Sequence, residues 1–121
     1  MIGYVTLGSN DLERAKAFYD RVLAPLGGRR SFERPRYQFY TGPDGGMFAI
    51  GTPFDGNPAR VGNGAMFGLT APSRDVVDQV HAEALAAGGA SEGEPGERAG
   101  AFYVAYFRDL DGNKLCVFKL G

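Results

Sequence analysis

The chain holds one histidine, His81, and one cysteine, Cys116, so imidazole or thiolate chemistry could run only through those two positions. Either could serve as a base or nucleophile if a neighbour tuned its pKa. His81 follows Val80 and precedes Glu83 in a segment of helical spacing, which predicts a solvated or half-buried place on the outside of a helix. Cys116 stands among Leu115, Val117 and Phe118, and the sequence offers no adjacent histidine that would lower its pKa. Asp109, Asp111 and Asn113 alternate like the start of a calcium loop, but the later oxygen donors and closing glutamate are missing. The Gly42–Gly46 run GPDGG lacks the glycine spacing of a phosphate loop and is followed by apolar, strand-like residues. Arg34, Arg36, Tyr37, Tyr40, Phe102, Tyr103 and Tyr106 form a further group. Roughly half of them should face one side of a sheet, because strand side chains alternate. Aromatic rings with one or two arginines suit a planar or anionic organic ligand.

The elements that must position these residues follow from periodicity and punctuation. Ile2–Leu7 reads as a strand. Asn10 with Glu13 three residues on predicts a capping box, and Leu12, Ala15, Tyr19, Val22, Leu23 and Leu26 give the following helix an apolar face that ends at Gly27-Gly28. Three strands are expected near residues 29–33, 36–41 and 46–51, the last two joined by the GPDGG turn. Thr52–Gly64 is rich in turn formers and reads as a linker. A strand near 65–70 comes next, then a helix capped by Ser73 with Val76, Val77, Val80, Ala84 and Ala87 on its buried face. Residues 90–100 predict a poor strand and a mobile loop. Residues 101–107 and 114–120 are the clearest strands, joined by a turn containing Asp111-Gly112.

The plan therefore occurs twice. Leu7 superposes on Leu69 at an offset of 62 residues and Ile50 on Val117 at an offset of 67, the difference falling in a longer loop after the second helix. Helix lies on helix, GPDGG on DLDGN, and hairpin on hairpin. The expected architecture is α+β, two β-α-β-β-β modules whose curved mixed sheets surround a cleft. Residues 1–121 form one domain, with a first module at 1–51, a linker at 52–63 and a second module at 64–121. Inward positions on the first and last strands of each half are Tyr4 and Ala49, then Met66 and Cys116. Phe48 and Tyr103 complete the candidate ligand-binding cleft.

Composition bounds the partners. With 44% hydrophobic and 22% charged residues the chain is an ordinary globular sequence. A formal net charge of −1 leaves no electrostatic footprint for nucleic acid or an anionic membrane. No apolar run approaches the roughly 20 residues of a membrane span, and the first residues do not read as a signal peptide. A single cysteine excludes an internal disulfide and fits a reducing compartment, so a cytoplasmic location is expected.

The segments VTLGSNDLERAKAFYDRVLAPLG, GNGAMFGLTAPSRDVVDQVHAEALAAGG and YVAYFRDLDGNKLCVFK resemble the glyoxalase/bleomycin resistance protein/dioxygenase (vicinal oxygen chelate) superfamily. FRDLDGNKL is the most specific of the matching motifs. The resemblance implies a divalent metal in the cleft, held by His, Gln or Glu side chains from the first and last strands. Carried over residue by residue, those ligand positions fall on Tyr4, Ala49, Met66 and Cys116. A phenol, a methyl, a thioether and a thiol do not suit a hard divalent ion. No metal and no other cofactor is therefore expected, and the sequence identifies no catalytic residue.

The first functional reading is a metal-independent protein that binds a small organic ligand, like the drug-sequestering members of that family. It is expected to be a homodimer, with no nucleic-acid or membrane partner. A second reading is a lyase, isomerase or dioxygenase of the glyoxalase type (lactoylglutathione lyase-like) with a displaced metal site. A third is a non-catalytic interaction or regulatory subunit, whose cleft would be filled by Met66, Phe48 and Tyr4 themselves.

Overall fold

A computed structural model describes residues 1–121. The first half runs β1 (Tyr4–Gly8), α1 (Leu12–Val22), β2 (Arg29–Arg34), β3 (Tyr37–Thr41) and β4 (Met47–Gly51). The second runs β5 (Phe67–Thr70), α2 (Arg74–Ala86), β6 (Ala90–Arg98), β7 (Phe102–Arg108) and β8 (Lys114–Leu120). Each half forms its own four-stranded sheet, in the orders β1-β4-β3-β2 and β5-β8-β7-β6. The first and last strands of each half pair in parallel and the remaining pairs are antiparallel. The two sheets are mixed and unclosed, with β1 and β5 left as edges.

Pairing register assigns every strand side chain to a face. Val5, Leu7, Phe48, Ile50 and Tyr40 share the helix-covered face of the first sheet, and Leu69, Leu115, Val117, Ala105 and Phe107 share that of the second. Both helices contribute to the same core: Phe18, Tyr19 and Val22 from α1 meet Val77, Val80 and Ala84 from α2 among these strand residues. Burying a side chain as large as Phe18 or Phe107 contributes about 2–3 kcal/mol. One core thus spans both halves, with helices α1 and α2 packed together rather than each half standing alone.

Local differences from the sequence-based expectations have physical causes. The cap of α1 is Asp11, whose side chain accepts the Arg14 N–H, and not Asn10. Asn10 is engaged elsewhere: its Oδ1 accepts the Ala59 N–H at 2.7 Å and its Nδ2 donates to the Ala59 carbonyl at 3.1 Å. The helix stops at Val22, where Pro25 turns the chain into a short 3-10 segment, Ala24–Leu26, closed by Gly27 at φ +77°. Residues 90–98, expected as a poor strand and a mobile loop, form the nine-residue strand β6 along β7, with register shifts around Gly93. Its His81 neighbour is buried, not surface-borne: only 3% exposed, its Nε2 lies 3.0 Å from Ser91 Oγ.

Candidate ligand-binding cleft

A cavity of about 680 Å³ lies along the seam between the edge strands β1 and β5. Its floor is made by Tyr4 and Val5 from one side and by Phe67 and Leu69 from the other, and the β3–β4 turn with Leu23 and Leu26 closes one end. Twelve of its 22 lining residues are hydrophobic, and Asp44 is the one acidic residue among them. That size and character suit a small organic molecule.

The six candidate residues divide. Tyr4, Phe48 and Met66 line this cavity, whereas Ala49, Tyr103 and Cys116 do not. Tyr4 and Met66 are 56% and 43% exposed, so the cavity mouth is open to solvent. Phe48 lines it from the helix-covered face, where its ring lies 4.6 Å from that of Tyr19. Ala49 is fully buried between Thr6 and Phe39, its partners in the sheet. Tyr103 points the opposite way from the inward position expected of it: its hydroxyl donates to Asp78 of α2 at 2.7 Å, and the Arg74 guanidinium stacks 4.9 Å from its ring. The reason is register, since Tyr103 shares its face of β7 with the helix-facing Ala105 and Phe107. A cleft enclosed by first and last strands alike was expected, but the seam is made chiefly by the two first strands.

Cys116 is 4% exposed, on the uncovered face of the second sheet, opposite Gly68 and Tyr106. Burial raises its thiol pKa and the Lys114 charge opposes that only in part. It is therefore a protonated thiol at neutral pH, a poor nucleophile and a poor ligand. The four positions at which the family carries metal ligands thus present a phenol, a methyl, a thioether and a buried thiol. No group of three or more His, Cys, Asp or Glu side chains is placed to hold a metal ion. These residues do not fit a hard divalent cation.

The acidic turn between β7 and β8 has a structural task that spacing alone did not reveal. Asp109 is 5% exposed and accepts the Tyr19 hydroxyl at 2.6 Å, the Asp111 and Asn113 N–H groups at 2.9 Å each, and the Asn113 amide. Asn113 donates in turn to the Gly8 carbonyl, and Asp111 accepts the Asn10 N–H. The turn therefore clamps the second half to the start of the first. Burial and then the Asp109 charge hold the Tyr19 hydroxyl well above its ordinary pKa. The clamp fixes how β1 and β5 lie side by side, and with them the seam.

Two modules of βαβββ type, packed through their helices and leaving an apolar seam, define the α+β class of this protein. The chain matches the family model of the Glyoxalase/Bleomycin resistance protein/Dioxygenase superfamily over residues 1–117, and it belongs to that family. It is similar to a glyoxalase/bleomycin resistance protein from Albidiferax ferrireducens T118, with 40% identity, a TM-score of 0.93 and coverage of 100% of this chain and 99% of that one. A lactoylglutathione lyase from Agrobacterium tumefaciens shares the fold at 23% identity and a TM-score of 0.72, covering 98% and 92% of the two chains. A hypothetical protein from S. aureus does so at 23% identity and 0.76, covering 98% and 92%. No match was found among curated proteins. No helix is long and apolar enough to cross a membrane.

Proposed function

We propose that the protein binds a small organic molecule in the β1/β5 seam and does so without the metal centre of its relatives. The observation that carries this reading is the open cavity of about 680 Å³ that persists with Tyr4, Phe48 and Met66 all in place. A subunit that had lost its ligand would be expected to fill that space with those side chains. The metal-dependent alternative, a lyase, isomerase or dioxygenase of glyoxalase type, would need ligands from positions other than Tyr4, Ala49, Met66 and Cys116. We further propose a homodimer. Tyr4, Phe32 and Met66 leave apolar surface exposed on the uncovered sheet faces, and a second copy would bury it.

The test is elemental analysis of protein purified without a histidine tag, with melting temperature recorded in nickel, zinc, manganese and iron(II). A native-state ligand at a hundred times its Kd adds about 2.7 kcal/mol, a readily visible shift. The expected result is substoichiometric metal and no shift, together with stabilisation by members of a neutral aromatic compound set. Near-stoichiometric metal with a clear shift would move the enzyme reading to first place.

A further inference from the structure

A second, smaller cavity of about 210 Å³ continues the seam beyond Met66, which lines both. Its wall carries two cations, Arg60 and Lys114, beside Thr6 and Asn113, and no acidic residue. Neither cation has a carboxylate within 4.0 Å, although five other arginines of the chain form ion pairs. Asp55 feels the Arg60 charge only as a minor contribution to its lowered pKa, behind its own hydrogen bonds to Asn57.

The Lys114 ammonium also lies 5.4 Å from the ring of Tyr106, and the Arg98 guanidinium lies 5.4 Å from that same ring. Arg98 gives its hydrogen bonds to the backbone carbonyls of Gly96, Val104 and Glu94, so its charge too is left without an acidic partner. Gly93 makes room for this arrangement, because a Cβ there would lie 2.9 Å from the Tyr106 ring. Two cations without an acidic partner, Lys114 and Arg60, therefore line the end of an apolar cleft, and Lys114 shares the neighbouring Tyr106 ring with Arg98. Electrostatic attraction there favours a negative ligand group, and a lysine donates well to a carboxylate.

We propose that this end of the seam binds the anionic end of a small aromatic acid, with Lys114 and Arg60 on the carboxylate and Met66 and Phe67 against the apolar body. The proposal rests on the binding-cleft reading and names the ligand class that the cleft would take. The test compares naphthalene-2-carboxylate with the neutral 2-naphthamide by isothermal titration at low salt. The expected result is binding of the carboxylate at least about ten-fold tighter than the amide. Lys114→Met, which installs the residue found at the equivalent position of the first half, should lower that ratio at least about three-fold through loss of carboxylate affinity. Arg60→Met, on an exposed loop, should reduce the ratio by about three-fold and keeps the test available should the first variant fold poorly. Equal binding of both probes would overturn the anionic preference while leaving the cleft reading standing. An unchanged ratio in both variants would overturn the residue assignment, and no binding of either probe would overturn both readings.

Discussion

At the offset of 67 residues, Phe39 of β3 corresponds to Tyr106 of β7, Met47 to Lys114, and Gly42 to Asp109. Phe39 belongs to an aromatic patch: it stacks on Phe32 at 4.4 Å and meets Tyr4 edge-on at 5.6 Å. Tyr106 and Lys114 belong to a face where cations flank a lone tyrosine. The hairpin turns diverge in the same way. In the first half, Asp44 accepts only the Gly46 N–H two residues on, at 3.3 Å. In the second, Asp109 and Asn113 reach across to α1 and β1. Duplication preserved the backbone path and let one half supply apolar surface and the other charge and anchoring. Fold and site therefore respond to different residues.

The sharpest break in that comparison comes from the turns. Asp109→Ala removes a buried acceptor of four hydrogen bonds and leaves the Tyr19 hydroxyl unpaired, at a cost of about 3 kcal/mol. Asp44→Ala at the matching exposed turn should change stability by less than about 0.5 kcal/mol. Urea unfolding of the two variants measures the difference; equal losses would show that the clamp is not asymmetric.

Glycine placement gives the next contrast. A Cβ at Gly51 would lie 2.1 Å from the Tyr37 ring and 2.4 Å from the Arg36 carbonyl, whereas one at Gly68 would meet Phe118 at 3.2 Å and Cys116 Sγ at 3.3 Å. Gly51→Ala should therefore cost about 2–3 kcal/mol and Gly68→Ala about 1 kcal/mol or less. The reverse order in thermal denaturation would contradict the stated ring positions.

Ionisation separates the groups more gently. Burial first, and then the Asp20 carboxylate, raises the Tyr40 pKa, as burial and Asp109 raise that of Tyr19. A raised folded-state pKa contributes stability that is complete below the unfolded value near 10 and is lost as pH rises toward the folded value. Absorbance titration at alkaline pH should show these two of the six tyrosines ionising only as the protein unfolds. At the acid end, burial opposes but the Arg30 and Tyr40 hydrogen bonds outweigh it, and the Asp20 pKa is lowered. Its contribution is present above the unfolded value near 3.9 and fades as pH falls through the lower folded value. Asp20→Asn should flatten that acid limb slightly, by an amount read from melting temperatures between about pH 5 and 2.

The internal repeat, the two mixed sheets and the Ser73 cap could all be read from the sequence, because periodicity and turn residues act locally. The residues that misled were those held by distant partners. Asn10 lost its capping role to a contact with Ala59, forty-nine residues away. His81 is buried against Ser91 of β6, and the glycines of β6 signalled a loop although Gly93 makes room for Tyr106. Tyr4 and Met66, which line the cavity, were named because the repeat marks the first strand of each half. The loop of Arg60 carries no periodicity, and its approach to Lys114 across the seam could be seen only in three dimensions.

Ligand binding in the seam without a family-type metal can be measured by titrating 2-naphthamide into tag-free protein before and after exhaustive chelation. The same Kd is expected in both preparations, unmoved by added zinc or nickel. Loss of binding on chelation, restored by one of those ions, would contradict it.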